Sequence, residues 1–129
     1  MSRIIILFLT LLLSLSSTLG APYGGTRHRP VQWLTNFGGR IKADIEMTLA
    51  YKGGNGYGWE IFYIPQWQGQ ADYHPVDIVT NTTSNSITWR TPPYSTYPAG
   101  TTFILGVTDG SNNLSADWYD LTGLLKFEP

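Results

Sequence analysis

No cysteine occurs in the chain, and histidine and methionine appear only twice each among its 129 residues. Without thiols there can be no disulfide framework, no cysteine nucleophile and no thiolate metal site. The two histidines, His28 and His74, are far apart, with no Ser in a nucleophile elbow and no H-E-x-x-H pattern, so neither a catalytic triad nor a zinc site can be assembled from them. Charge of one sign is also scarce. Eight Lys and Arg face nine Asp and Glu, and the one basic cluster, Arg27-His28-Arg29, is too small to release counterions from a polyanion. Nucleic acid is therefore not expected as a partner, nor is an anionic membrane surface. Sustained helical periodicity is missing, and no apolar run reaches the roughly 20 residues needed to cross a bilayer as a helix.

One apolar run does exist, and its position is informative. Arg3 precedes Ile4 to Leu13, which is broken only by Thr10, and Ser14 to Gly20 then turn small and polar. This is the order of a secretory signal, so residues 1–20 are expected to be removed after Gly20 or Ala21, leaving no transmembrane anchor. Two N-glycosylation acceptor triplets, Asn81-Thr82-Thr83 and Asn113-Leu114-Ser115, fit an extracellular address and fall in segments that read as turns. The C-terminus is too short and too charged for a glycolipid-anchor signal.

Residues 21–30 carry several breakers and no periodicity, and read as an extended leader. From residue 31 to 129 the pattern is that of one domain built from short strands. Val31 to Phe37 form a first candidate. Ile45, Met47, Leu49 and Tyr51 then alternate with Asp44, Glu46, Thr48 and Ala50, which places one side in a core and the other in water. Lys52-Gly53-Gly54-Asn55-Gly56 reads as a turn leading into the aromatic-rich segment Tyr57 to Ile64, which Pro65 ends. Val76 to Thr80, Ser86 to Arg90, Phe103 to Val107 and Leu114 to Leu121 complete the set. Six or seven such strands, with turn signals every ten or so residues, predict an all-β fold: a single immunoglobulin- or fibronectin-III-like antiparallel β-sandwich.

The stretch Ser84-Asn85-Ser86-Ile87-Thr88-Trp89, followed by Pro98-Ala99-Gly100-Thr101-Thr102-Phe103-Ile104-Leu105-Gly106-Val107-Thr108-Asp109-Gly110-Ser111, resembles a large group of small secreted fungal proteins. Gly53-Gly54-Asn55-Gly56-Tyr57 and Trp59-Glu60-Ile61-Phe62-Tyr63-Ile64-Pro65 stand where that group has a Gly-rich turn opening into a strand that ends in Pro. The group is similar to the immunoglobulin-like N-terminal domain of Ser/Thr-rich, glycolipid-anchored wall proteins and of the yeast cell-wall glucan-synthesis family. The resemblance covers roughly Ile45 to Asp117 and implies fold and secretion, with no catalytic residues to carry over. Tyr51 stands where Trp is common in the group. The Ser/Thr-rich anchored tail is missing, which implies a freely secreted form.

Candidate chemistry is sparse. Asp44 and Glu46 share the polar side of a strand at a spacing a glycosidase could use, but alternating carboxylates on an exposed face are ordinary solubility chemistry. Asp109-Gly110-Ser111-Asn112-Asn113 offers oxygen ligands without the acidic count of a calcium loop and reads as a turn. No metal, no cofactor and no catalytic residues are expected. Aromatics are the prominent feature: five Trp, eight Tyr and five Phe. Trp59 and Trp89 lie on strands and read as core. Trp67, Tyr73, Tyr94, Tyr97, Trp118 and Tyr119 fall in loops or at strand ends, where the rings either simply cover the ends of the core or stack on a sugar while Asp72 and His74 bind its hydroxyls. The reading is a monomeric, secreted, non-catalytic module of the extracellular space or cell wall. Its expected partner is a wall polysaccharide; a second extracellular protein bound through a sheet edge is the alternative, and a wall-polysaccharide hydrolase the remote one.

Overall fold

A computed structural model describes residues 29–110 and 118–129, and within them the chain is an all-β sandwich. The expected signal segment, the leader through His28, the Asn113 acceptor and positions 114–117 of the expected closing strand lie outside the described residues. Nine strands form: β1 (Arg29–Trp33), β2 (Arg40–Lys42), β3 (Glu46–Gly54), β4 (Trp59–Gln66), β5 (Val76–Thr82), β6 (Ser86–Arg90), β7 (Thr102–Thr108), β8 (Tyr119–Leu121) and β9 (Leu125–Glu128). One sheet has the order β1-β3-β6; the other runs β2-β9-β7-β4-β5, with β8 also on β7. In immunoglobulin terms β1, β3 and β6 hold the A, B and E places, and β4, β7 and the β8/β9 pair hold C, F and G, with β5 beside C. Among the described residues no helix is long and apolar enough to cross a membrane.

The alternation read from the sequence makes the interior. Leu49 and Tyr51 from β3, Ile61 from β4, and Phe103, Leu105 and Val107 from β7 are all fully buried, and Trp89 from β6 joins them. Strand β4 is covered on both faces. Ile61 and Tyr63 point into the shared core, while Phe62 and Ile64, one residue out of phase, pack outside it with Tyr119 and Leu121. Gly106 is required there, because a Cβ on it would run into the Phe62 ring and Leu121.

Several boundaries differ from the sequence expectation. The first strand starts at Arg29, inside the expected leader, because Arg29 partners Gly54 across the ladder; Pro30 is tolerated on what is an edge strand. Gly53 and Gly54 belong to β3 rather than to the turn. Both have positive φ, and Gly53 lies so close to the Pro30 carbonyl that no side chain fits, which explains the register shift in that ladder. Asn81 and Thr82 continue β5 instead of turning, since Thr82 is partnered with Trp59.

The sandwich is also not wholly antiparallel, because β2 and β9, two short strands not expected from the sequence, run parallel. Strands β8 and β9 share one edge of β7. Between them Thr122 keeps the ladder closed: its N–H donates to the Leu105 carbonyl at 2.9 Å and its Oγ1 accepts from the Leu105 N–H at 3.0 Å. Among the described residues nine strands thus stand where six or seven were expected, the additions being the short strands β2 and β9.

Thr91, buried just after β6, ties the small sheet to β2. Its hydroxyl donates to the Lys42 carbonyl at 2.8 Å and accepts from the Ile45 N–H at 2.9 Å. Thr91→Val keeps the shape and strands both backbone groups, so urea unfolding should show a loss of about 1–3 kcal/mol. A loss below about 0.5 kcal/mol would mean that water replaces the hydroxyl.

Candidate functional site

Strand direction sorts the loops into two ends. Gln66 at the end of β4 is partnered with Thr102 at the start of β7, so residues 67–75 and 91–101 emerge together. Glu60 is partnered with Thr108, so residues 55–58 and the pair Asp109 and Gly110 lie at the opposite end.

The first end carries most of the residues expected to form a platform. Trp67 and Tyr97, from separate loops, are brought ring to ring at 5.8 Å with planes tilted by 37°. Behind them an aromatic column runs inward. Tyr97 stacks on Phe127 at 6.1 Å, Phe127 stacks on Phe103 at 4.0 Å, and Tyr63 meets Tyr97, Phe103 and Phe127 edge-on. The column sets the orientation of the surface rings.

The Tyr97 hydroxyl is 2.8 Å from the Tyr63 hydroxyl. Burial first, then that hydrogen bond, pushes the Tyr63 phenol far above its ordinary range. Gln70 holds the Trp67 loop: its Oε1 accepts from the Trp67 N–H at 3.2 Å and its Nε2 donates to the Pro65 carbonyl at 3.1 Å.

Tyr94, in a 3-10 turn at Tyr94–Thr96, and Tyr73 are exposed, as are Asp72 and His74. The hollow bordered by Tyr94, Tyr97 and Phe127 has a volume of only about 10 Å³, space for a single water. Among the described residues, what Trp67, Tyr94 and Tyr97 offer at this end is an aromatic surface.

Three other expectations are corrected. Tyr119 is buried on the outer face of the large sheet with Phe62, and Trp118 is half-buried next to it; neither belongs to the platform. Trp59 is only partly buried, resting on Tyr51 at 5.1 Å. Asp44 does not share a strand face with Glu46. It sits in the preceding turn at φ 56°, and its carboxylate meets the Arg90 guanidinium at 3.1 Å in an exposed pair.

The opposite end holds what the sequence reading missed. Two depressions of about 330 and 440 Å³ flank Trp59. The smaller is bordered by Arg29, Lys52 and Asn85, the larger by Tyr57, Glu60, Asn81 and Asp109, and Asn55 borders both. Glycines permit this convergence: a Cβ on Gly54 would press on Asp109 and the Trp59 indole nitrogen, and one on Gly58 would lie 2.5 Å from Asn81 Oδ1. Glu60 is pushed above its ordinary range, by burial and then by the Asp77 carboxylate. The signal in the sequence was Asn55-Gly56-Tyr57-Gly58, an aromatic residue inside a glycine turn, but its neighbours come from distant segments.

Comparison with family models, with curated proteins and with solved structures returned no match.

The Tyr63–Tyr97 pair makes a pH prediction. Because the folded state holds the Tyr63 proton more tightly than the unfolded chain does, the contribution of this group to stability is constant below the ordinary phenol value of 10.0 and falls as pH rises above it. Tyr63→Phe should cost about 1 kcal/mol at neutral pH and move alkaline unfolding to higher pH. An alkaline midpoint, followed by phenolate absorbance, that is unchanged or lowered would contradict this. Tyr51 and Tyr119, also raised by burial, remain in the variant as an internal reference.

Proposed function

We propose that this chain is a secreted, non-catalytic β-sandwich module of the fungal extracellular space or wall that binds polysaccharide on the aromatic surface of Trp67, Tyr94 and Tyr97, with Tyr73, Asp72 and His74 around it. The observation that carries the reading is the meeting of Trp67 and Tyr97 from two separate loops, beside an exposed Tyr94. Rings in loops are costly to leave in water, and a pyranose offers a flat apolar face to cover them while nearby polar groups bind its hydroxyls. An open surface suits a long or insoluble polymer better than a small ligand, which favours enclosure. The N-terminal signal pattern and the resemblance to secreted fungal sandwich proteins support the location.

Retention on insoluble glucan or chitin tests the binding. Wild-type protein should be retained, and Trp67→Ala or Tyr94→Ala should weaken retention at least about tenfold, the scale of 1.4 kcal/mol. No retention, or retention unaffected by either substitution, would remove the glycan role. Secretion is tested separately: protein recovered from the medium of a fungal host should begin at Ala21 or Pro22 by N-terminal sequencing.

A further inference from the structure

We propose that Asn81 carries an N-linked glycan whose first sugars fold back into the depression beside Trp59, with Tyr57 as its outer wall. The proposal rests on the secretory reading above, because the sugar donor belongs to the secretory pathway.

Three observations bring the modification and the cleft together. First, Asn81 heads the acceptor triplet Asn81-Thr82-Thr83 and is exposed near the end of β5, the terminal strand of its sheet. Second, its side chain lies against the Gly58 backbone, a contact that exists because Gly58 has no Cβ, and this sets the amide in the wall of the 440 Å³ depression. Third, the cleft has the chemistry a sugar needs. Trp59 supplies an indole, and Asn55, Glu60 and Asp109 supply polar groups around it.

Tyr57 is otherwise unexplained by folding. It is 85% exposed, the most exposed of the large apolar side chains among the described residues, yet its backbone is fixed where it stands: its N–H donates to Asn55 Oδ1 at 2.9 Å. An aromatic ring held in water beside a sugar acceptor is positioned to cover the apolar face of the attached sugar, and the covalent link removes the cost of bringing two separate molecules together.

The covalent step is a glycosyl transfer from a lipid-pyrophosphate-linked oligosaccharide. Asn81 Nδ2 forms a bond to C1 of the terminal N-acetylglucosamine. The C1–O bond to pyrophosphate breaks, the lipid pyrophosphate leaves with the electron pair, and one amide proton is lost to the transferase.

The test uses protein secreted from a eukaryotic host. Thr83→Ala removes the acceptor triplet without touching Asn81 or the cleft, and Tyr57→Ala removes the wall. Peptide mapping should find sugar on Asn81. The wild type should melt about 4 °C above Thr83→Ala, and trimming to a single N-acetylglucosamine should keep most of that gain. In the Tyr57→Ala background the gain should vanish.

Secreted, processed protein with Asn81 unmodified would overturn this proposal alone. So would equal melting of wild type and Thr83→Ala, or a gain that persists without Tyr57. Protein retained in the cell with residues 1–20 attached would overturn the secretory reading and this proposal together.

Discussion

The fold depends on aromatic side chains that cross from one sheet to the other. Tyr63 of β4 meets Trp89 of β6 at 5.5 Å, and Tyr51 of β3 meets Trp59 of β4 at 5.1 Å. Between these contacts Leu49, Ile61, Leu105 and Val107 fill the space and are fully excluded from water. A chain without cysteine has no covalent clamp across its sheets, so this burial must supply the cohesion that a disulfide gives many domains of similar architecture. Both ends follow from it. The Tyr63 ring continues outward through Phe103, Phe127 and Tyr97 to Trp67, while Tyr51 supports Trp59 in the opposite cleft.

Tyr51 shows how one side chain serves packing and wiring together. Its ring is fully buried between Trp33 and Trp59, and its hydroxyl donates to the Ser84 carbonyl at 2.5 Å, fixing the turn between β5 and β6. A Phe at this place would keep the ring contacts and lose that bond.

The period-two pattern from Ile45 to Tyr51 and from Phe103 to Val107 was legible because each segment buries one face over its whole length. The strands β2 and β9 were not. They are three and four residues long, and their pairing joins distant parts of the chain, so neither has a local signal beyond Ile41, Leu125 and Phe127. Gly53, Gly54 and Asn81 carry turn chemistry yet sit in ladders, because Arg29 and Trp59 offer cross-strand partners that no local propensity encodes. Of the site, Trp67 and Tyr94 could be picked out as loop aromatics, whereas the inward turn of Tyr97 and the burial of Tyr119 depend on tertiary neighbours. The Trp59 cleft was illegible for the same reason: it exists only where the starts of β1 and β4, the ends of β5 and β7 and the glycine turn converge.

The inter-sheet ring contacts are the claim beneath all of this, and proton–proton Overhauser effects in solution test them directly. The account predicts cross-peaks between the rings of Tyr63 and Trp89 and between those of Tyr51 and Trp59, in a single set of resonances. Absence of both, with Leu49 and Leu105 amides exchanging freely with solvent, would contradict a shared interior between two sheets.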